Sequence, residues 1–227
     1  MARQNVPRQL ADRIATLARP HPVRVAIDGI DASGKTTLAG ELADVLGKRG
    51  LPVIHASLDG FHRPRSDRYR QGADSARGYY EDCFDYAALR TALLCPLGPG
   101  GNRRYRRATF DFERDVPLEP TFEIASDGSI LLLDGVFLLR PELADAWDYR
   151  VFVDVSFDVA LTRAMMRDRH LFGTPDRIRK RYLTRYFPAQ QRYLETVRPP
   201  DSADAIVANN NPERASVSFR KQPDRSL

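Results

Sequence analysis

Residues 29–36 read Gly-Ile-Asp-Ala-Ser-Gly-Lys-Thr and fill every fixed position of the phosphate-loop pattern G-x-x-x-x-G-K-[ST]. Their flanks constrain the fold more than the match does. Residues 23–27 are short and rich in β-branched side chains, the pattern of a buried strand. Residues 36–48 repeat Leu38, Leu42, Val45 and Leu46 on one helical face and stop at Gly47 and Gly50. Strand, glycine-rich turn and helix, in that order, let backbone N–H groups close around phosphate oxygens with the positive end of a helix dipole behind them. Lys35 offers a mobile cation for the β and γ phosphates, and Thr36 a hard oxygen for Mg2+. A site for ATP and Mg2+ is expected, contacted by Gly29, Asp31, Ala32, Ser33, Gly34, Lys35, Thr36 and Thr37.

The same alternation continues. Further strands are expected at 52–56, 130–133, 149–155 and 205–207, and further helices at 4–18, 84–94, 158–169 and 175–195, the last interrupted at Pro188. The continuous apolar run at 130–133 suits a strand covered on both faces. The pattern predicts an α/β P-loop NTPase fold of three layers, a parallel five-stranded sheet flanked by helices. Segments 105–112 and 121–125 read as a small β-hairpin, and 61–81 shows no period, as in a long functional or disordered loop. The expected organisation is an N-terminal helix within 1–21, a single domain over 22–209 with a helical lid at about 163–185, and a polar, frayed tail over 210–227.

Composition excludes several classes. No stretch approaches the roughly 18 apolar residues of a membrane span. Arg3, Arg8, Asp12 and Arg13 break up the N-terminus, so no signal peptide is read and a cytoplasmic protein is expected. Cys83 and Cys95 lack metal-ligand or CxxC spacing and read as free thiols. The net charge of +5 is nearly all arginine, with acids interspersed, unlike the clustered basic and aromatic surface of a nucleic-acid binder.

Two acids stand where strands end, the side on which α/β sheets bind ligands. Asp59 follows the second strand and Asp134 ends the 130–133 run. Phosphoryl transfer needs a positioned metal and an oriented acceptor hydroxyl. Asp59 can take the hydroxyl proton or hold the metal, and Asp134 suits the Walker B role. Arg163 and Arg167 are four apart and share a helix face, with Arg169, Arg177, Arg179, Arg181 and Arg185 beyond, a set able to close over the γ-phosphate. The expected catalytic residues are Asp59, Lys35 and Arg167. Metal ligands are expected at Thr36, Asp59 and Asp134, and further nucleotide contacts at Arg163 and Arg167. The sequence has no Asn-Lys-x-Asp guanine reader. An ATP-dependent kinase of a small hydroxyl compound is the leading expectation, and a slowly hydrolysing ATP switch is its rival.

From about residue 23 to 209 the chain resembles the uridine kinase branch of the phosphoribulokinase/uridine kinase group of P-loop kinases. The resemblance rests on the ordered blocks at 29–37, 57–62 (Ser-Leu-Asp-Gly-Phe-His), 80–85 (Tyr-Glu-Asp-Cys-Phe-Asp), 132–139 and 163–168. It implies a hairpin beside the acceptor, Asp59 as the catalytic carboxylate, Arg167 as a lid arginine, and acceptor contacts at His62, Tyr79, Tyr105, Phe110 and Asp111. The implied acceptor is a nucleoside, at the 5′-hydroxyl of uridine or cytidine. His62 and Phe110 stand where uridine kinases carry tyrosines. The lid at 170–176 lacks their Arg-Gly-Arg, and the basic 103–107 segment is unlike theirs. Pantothenate, a sugar or a phosphorylated acceptor therefore stays open.

Overall fold

The computed structural model describes residues 5–220. In chain order its strands are β1 (Val23–Gly29), β2 (Val53–Ser57), β3 (Arg104–Tyr105), β4 (Phe110–Asp111), β5 (Val116–Pro117), β6 (Glu123–Ile124), β7 (Ile130–Gly135), β8 (Tyr149–Asp154), β9 (Ala205–Ala208) and β10 (Ser216–Phe219). Its helices are α1 (Asn5–Ile14), α2 (Lys35–Lys48), α3 (Arg65–Arg68), α4 (Ala76–Asp82), α5 (Tyr86–Leu89), α6 (Phe157–Arg167), α7 (Arg169–Phe172), α8 (Pro175–Arg181), α9 (Phe187–Thr196) and α10 (Pro199–Ser202).

The main sheet runs β10-β9-β8-β1-β7-β2. The five expected strands are there and all pair in parallel. β1 and β7 lie inside the sheet, each between two other strands, and are buried along nearly their whole length, as their unbroken apolar runs require. Two large apolar clusters cover the two faces: Val25, Ile27 and Leu132 meet α1 and α2 on one side, while Ala26, Leu131 and Leu133 meet Phe61, Phe137 and Tyr193 on the other.

The sheet has a sixth strand. β10 pairs antiparallel with β9, so within the expected polar tail of 210–227 the residues Ser216–Phe219 form an edge strand, preceded by a 3-10 turn at Pro212–Arg214. Val217 and Phe219 alternate with serines and turn their apolar side toward α1, and Arg13 lies 5.1 Å over the Phe219 ring. Residues 221–227 lie outside the described residues.

The expected single hairpin is two short ribbons. β3 pairs with β6, and β4 pairs with β5 inside it. The helix expected over 84–94 is α5 followed by a π-helical turn, Arg90–Leu94. The unpatterned 61–81 stretch is ordered: it forms α3 and most of α4, and polar contacts stand in for an apolar face. Arg185 donates to the carbonyls of Arg68, Gly72, Ala73 and Ser75, and Arg181 to Ala73 O and the Tyr69 hydroxyl.

Candidate active site

The 29–36 loop leaves the carboxyl end of β1 and enters α2, as its sequence requires. Ala32 and Gly34 both take positive φ, 58° and 95°, within a few residues. Left-handed residues spaced this closely fold backbone N–H groups into an anion-binding concavity. At Gly29 a Cβ would stand 2.5 Å from Val153 O, so the loop can leave the sheet here only through glycine. Ser33 is buried and Thr37 lies exposed on the first turn of α2.

Lys35 turns its ammonium back into the loop, donating to Ile30 O at 2.6 Å. Burial lowers its pKa, while Asp31, Asp28 and Asp134 hold it up. The Thr36 hydroxyl donates to Asp134 Oδ2 at 2.7 Å, and His55 Nε2 lies 2.9 Å from Asp134 Oδ1. Parallel pairing of β2, β7 and β1 brings this Thr–Asp pair and Lys35 to one end of the sheet.

Asp59 sits in a 3-10 turn just beyond β2, capped by Ser57 Oγ. Gly60 keeps the turn against the hairpin, since a Cβ there would meet Ala108 Cβ at 2.6 Å. The Asp59 carboxylate lines the cleft and is 63% exposed. Partial desolvation by the cleft walls and the nearby Asp31 and Asp134 raise its pKa, and His62 and Lys35 oppose that rise.

The cleft has two connected chambers. One, of roughly 240 Å3, holds Lys35, Thr36 and Asp134; the other, of roughly 470 Å3, holds His62, Arg68 and Arg185. Asp31, Asp59, Tyr79, Phe112, Arg167 and His170 belong to both. Asp59 thus stands where the phosphate-loop chamber opens into the second one. His62 stacks on Phe112 with centroids 4.9 Å apart, its Nδ1 2.9 Å from Asp59 O. Tyr79 donates its hydroxyl to Asp31 Oδ2 at 2.9 Å. Arg167 pairs with Asp168 at 2.6 Å.

Several expected contacts lie elsewhere. Tyr105, Phe110 and Asp111 line neither chamber. Tyr105 is buried, with its hydroxyl on Glu123. Phe110 is buried under the ribbon, and Asp111 caps the β4–β5 turn by accepting from the N–H groups of Glu113 and Arg114. The ribbon register turns the next two residues, Phe112 and Glu113, into the cleft instead. Arg163 is also spent on backbone: its guanidinium donates to Ser33 O, Asn209 O and Asn210 O, tying the phosphate loop to the end of β9. Of the arginines in 163–185, only Arg167 and Arg185 line the cleft.

Sequence reasoning missed a bracing set on α9. Gln190 donates to Asp31 Oδ2, and Tyr193 donates to Asp28 Oδ2. Asp28 is fully buried beneath the loop. Burial pushes its pKa up to about 6, against the hydrogen bonds from Tyr193 and Gly29 N–H and the charge of Lys35. A carboxyl whose folded pKa is raised stabilises the fold most below its unfolded value of 3.8 and loses that contribution as pH rises through about 6. Asp28→Asn is therefore expected to flatten this part of the stability–pH curve. In denaturant titrations the stability of the wild type relative to the variant should fall by about 2 kcal/mol between pH 4 and 7. Equal slopes in the two proteins would contradict the assignment.

No helix among the described residues is long and apolar enough to cross a membrane. The profile of the phosphoribulokinase/uridine kinase family matches residues 25–214. The uridine kinase of Alkaliphilus metalliredigens is 28% identical over 176 residues, 77% of this chain and 82% of that protein. Uridine-cytidine kinase B of Dictyostelium discoideum is 31% identical over 149 residues, 65% of this chain and 59% of its own length. The solved structure of a possible uridine kinase from Bacillus stearothermophilus superposes with a TM-score of 0.71 at 25% identity, covering 91% of this chain and 99% of that one. With its mostly parallel sheet and phosphate loop, the chain is a P-loop kinase, a phosphotransferase, and belongs to the phosphoribulokinase/uridine kinase family.

Proposed function

We propose that the protein transfers the γ-phosphoryl group of ATP to a hydroxyl of a small molecule held in the larger chamber. The observation carrying this reading is the position of Asp59, at the junction between the phosphate-loop chamber and a second chamber able to hold an acceptor. A protein that only hydrolysed ATP as a switch has no need of that second chamber or of a carboxylate at its mouth.

The triphosphate lies along the 29–36 loop, its β and γ phosphates met by Lys35. Thr36 and Asp134 present hard oxygens 2.7 Å apart, a donor set suited to Mg2+, which takes few protein ligands and borrows the rest from phosphates and water. Among the described residues no cage of three or more His, Cys, Asp or Glu side chains competes with that arrangement. Mg2+, when bound, spreads the phosphate charge. Asp59 accepts the proton of the acceptor hydroxyl as its oxygen bonds to the γ-phosphorus and the bond to the β-phosphate oxygen breaks, releasing ADP. Arg167 lies over the same space and offsets the charge that builds on the moving group.

The curated relatives are named for uridine and cytidine, and the 5′-hydroxyl of either is one reading of the acceptor. A kinase for another hydroxyl compound is favoured by His62 and by the arginines of the larger chamber. Purified protein with ATP-Mg2+ and a panel of nucleosides, pantothenate and sugars should show acceptor-dependent ADP release. Release that no member of the panel stimulates would favour the switch.

A further inference from the structure

The walls of the two chambers differ in charge. Every carboxylate lining the larger chamber (Asp31, Asp59, Glu113, Asp168) also borders the phosphate-loop chamber. The charged residues that line the larger chamber alone are Arg65, Arg68 and Arg185, accompanied by His62. The far end of the acceptor space is therefore positive, with its negative charge confined to the end where transfer occurs.

Of these three guanidinium groups only that of Arg68 pairs with a carboxylate among the described residues. Arg185 is 1% exposed, its hydrogen bonds go to backbone carbonyls and the Cys83 sulfur, and no carboxylate pairs with it among the described residues. A buried charge without an opposite partner is costly, and a counter-charge brought by a ligand relieves that cost. Arg68 is 7% exposed and meets Asp115 through Nη2 only, at 2.8 Å, leaving Nη1 without a partner among the described residues. Its Nε is buried and unbonded as well. Arg65 makes no side-chain hydrogen bond or ion pair among the described residues, although it lines the chamber. Two guanidinium groups with unused donors, three residues apart on α3 and facing one cavity, are arranged to take the oxygens of an anion.

Resting on the kinase reading above, we propose that the acceptor carries an anionic group, a phosphate or a carboxylate, remote from the hydroxyl that is phosphorylated. Arg65 and Arg68 bind that group, and Arg185 adds charge from behind. His62 and Phe112 flank the body of the molecule near Asp59.

The test uses matched pairs with ATP-Mg2+: ribose against ribose 5-phosphate and glycerol against glycerate, with uridine and cytidine alongside. The phosphate and carboxylate arms separate the two sources of charge. An anionic member is expected to exceed its neutral partner in kcat/KM by about 100-fold. Arg65→Gln is expected to shrink that ratio about 10-fold through KM, and Arg65→Lys to recover part of it. Arg65 is the informative position because its side chain makes no hydrogen bond or ion pair among the described residues, whereas Arg68→Gln also removes the ion pair to Asp115. Equal use of both members of each pair, or a preference for uridine or cytidine over every anion, overturns the anion proposal and leaves the kinase standing. If no acceptor stimulates ADP release, the kinase reading falls, and calorimetric titration with ribose 5-phosphate and glycerate decides the rest. Binding that Arg65→Gln weakens upholds an anion site there; absence of binding overturns it.

Discussion

Asp59→Asn is expected to lower kcat by about 10³-fold while the KM for ATP stays close to the wild-type value. Asparagine keeps the size of the side chain and can still meet an acceptor hydroxyl, but it cannot take a proton. The prediction follows from where Asp59 stands, beyond β2 at the mouth of the acceptor chamber, while the Thr36–Asp134 pair lies on the loop side. The pH profile gives a second readout. The Asp59 pKa is raised by the partial desolvation that the cleft walls impose and by Asp31 and Asp134. A base must be deprotonated to act, so kcat/KM should fall on the acid side at a higher pH than an ordinary carboxylate would give. That limb should vanish in Asp59→Asn. A variant that mainly loses ATP affinity, with kcat little changed, would make Asp59 a metal ligand instead.

The phosphate-loop half of the candidate site was readable in the sequence because it is local. The 29–36 loop, the strand before it and the helix after it are contiguous, and each element's pattern agrees with its neighbours. Asp59 and Asp134 were legible for a related reason: an acid directly after an apolar run ends up at the end of a strand, and parallel strands share that end. The larger chamber depends on register. A ribbon that places Phe112 and Glu113 in the cleft hides Phe110 and Asp111, and a shift of one or two residues leaves no mark on composition or period. The α9 braces join residues about 160 positions apart, Asp31 to Gln190 and Asp28 to Tyr193, through buried polar contacts that carry no periodic signal. Arg163 shows the limit of reading charge as function. Helical spacing placed it correctly beside the loop, but its donors satisfy carbonyls that no ladder reaches. β10 did leave a signal, the alternation of Val217 and Phe219, too short to stand out in a polar stretch.

Lys35→Ala tests the donor half, with an expected loss of about 10³-fold in kcat and an unchanged circular-dichroism spectrum. The side chain is 8% exposed and its charge lies among three acids, Asp31, Asp28 and Asp134. These hold the ammonium in its charged form against the effect of burial. They also explain why charge alone will not substitute. Nζ reaches Ile30 O at 2.6 Å inside a loop closed by Gln190 on Asp31 and by Asn209 on Ser33 O. A lysine can swing a compact point charge from that carbonyl to a phosphate, whereas arginine's planar fork needs more room and a fixed approach. Lys35→Arg is therefore expected to recover less than a tenth of the lost activity, an order-of-magnitude expectation from the geometry of that fork. The two variants together separate the need for a charge from the need for a mobile one. Full recovery by arginine would show that the loop needs only positive charge, and near-normal turnover in Lys35→Ala would remove the loop from the reaction altogether.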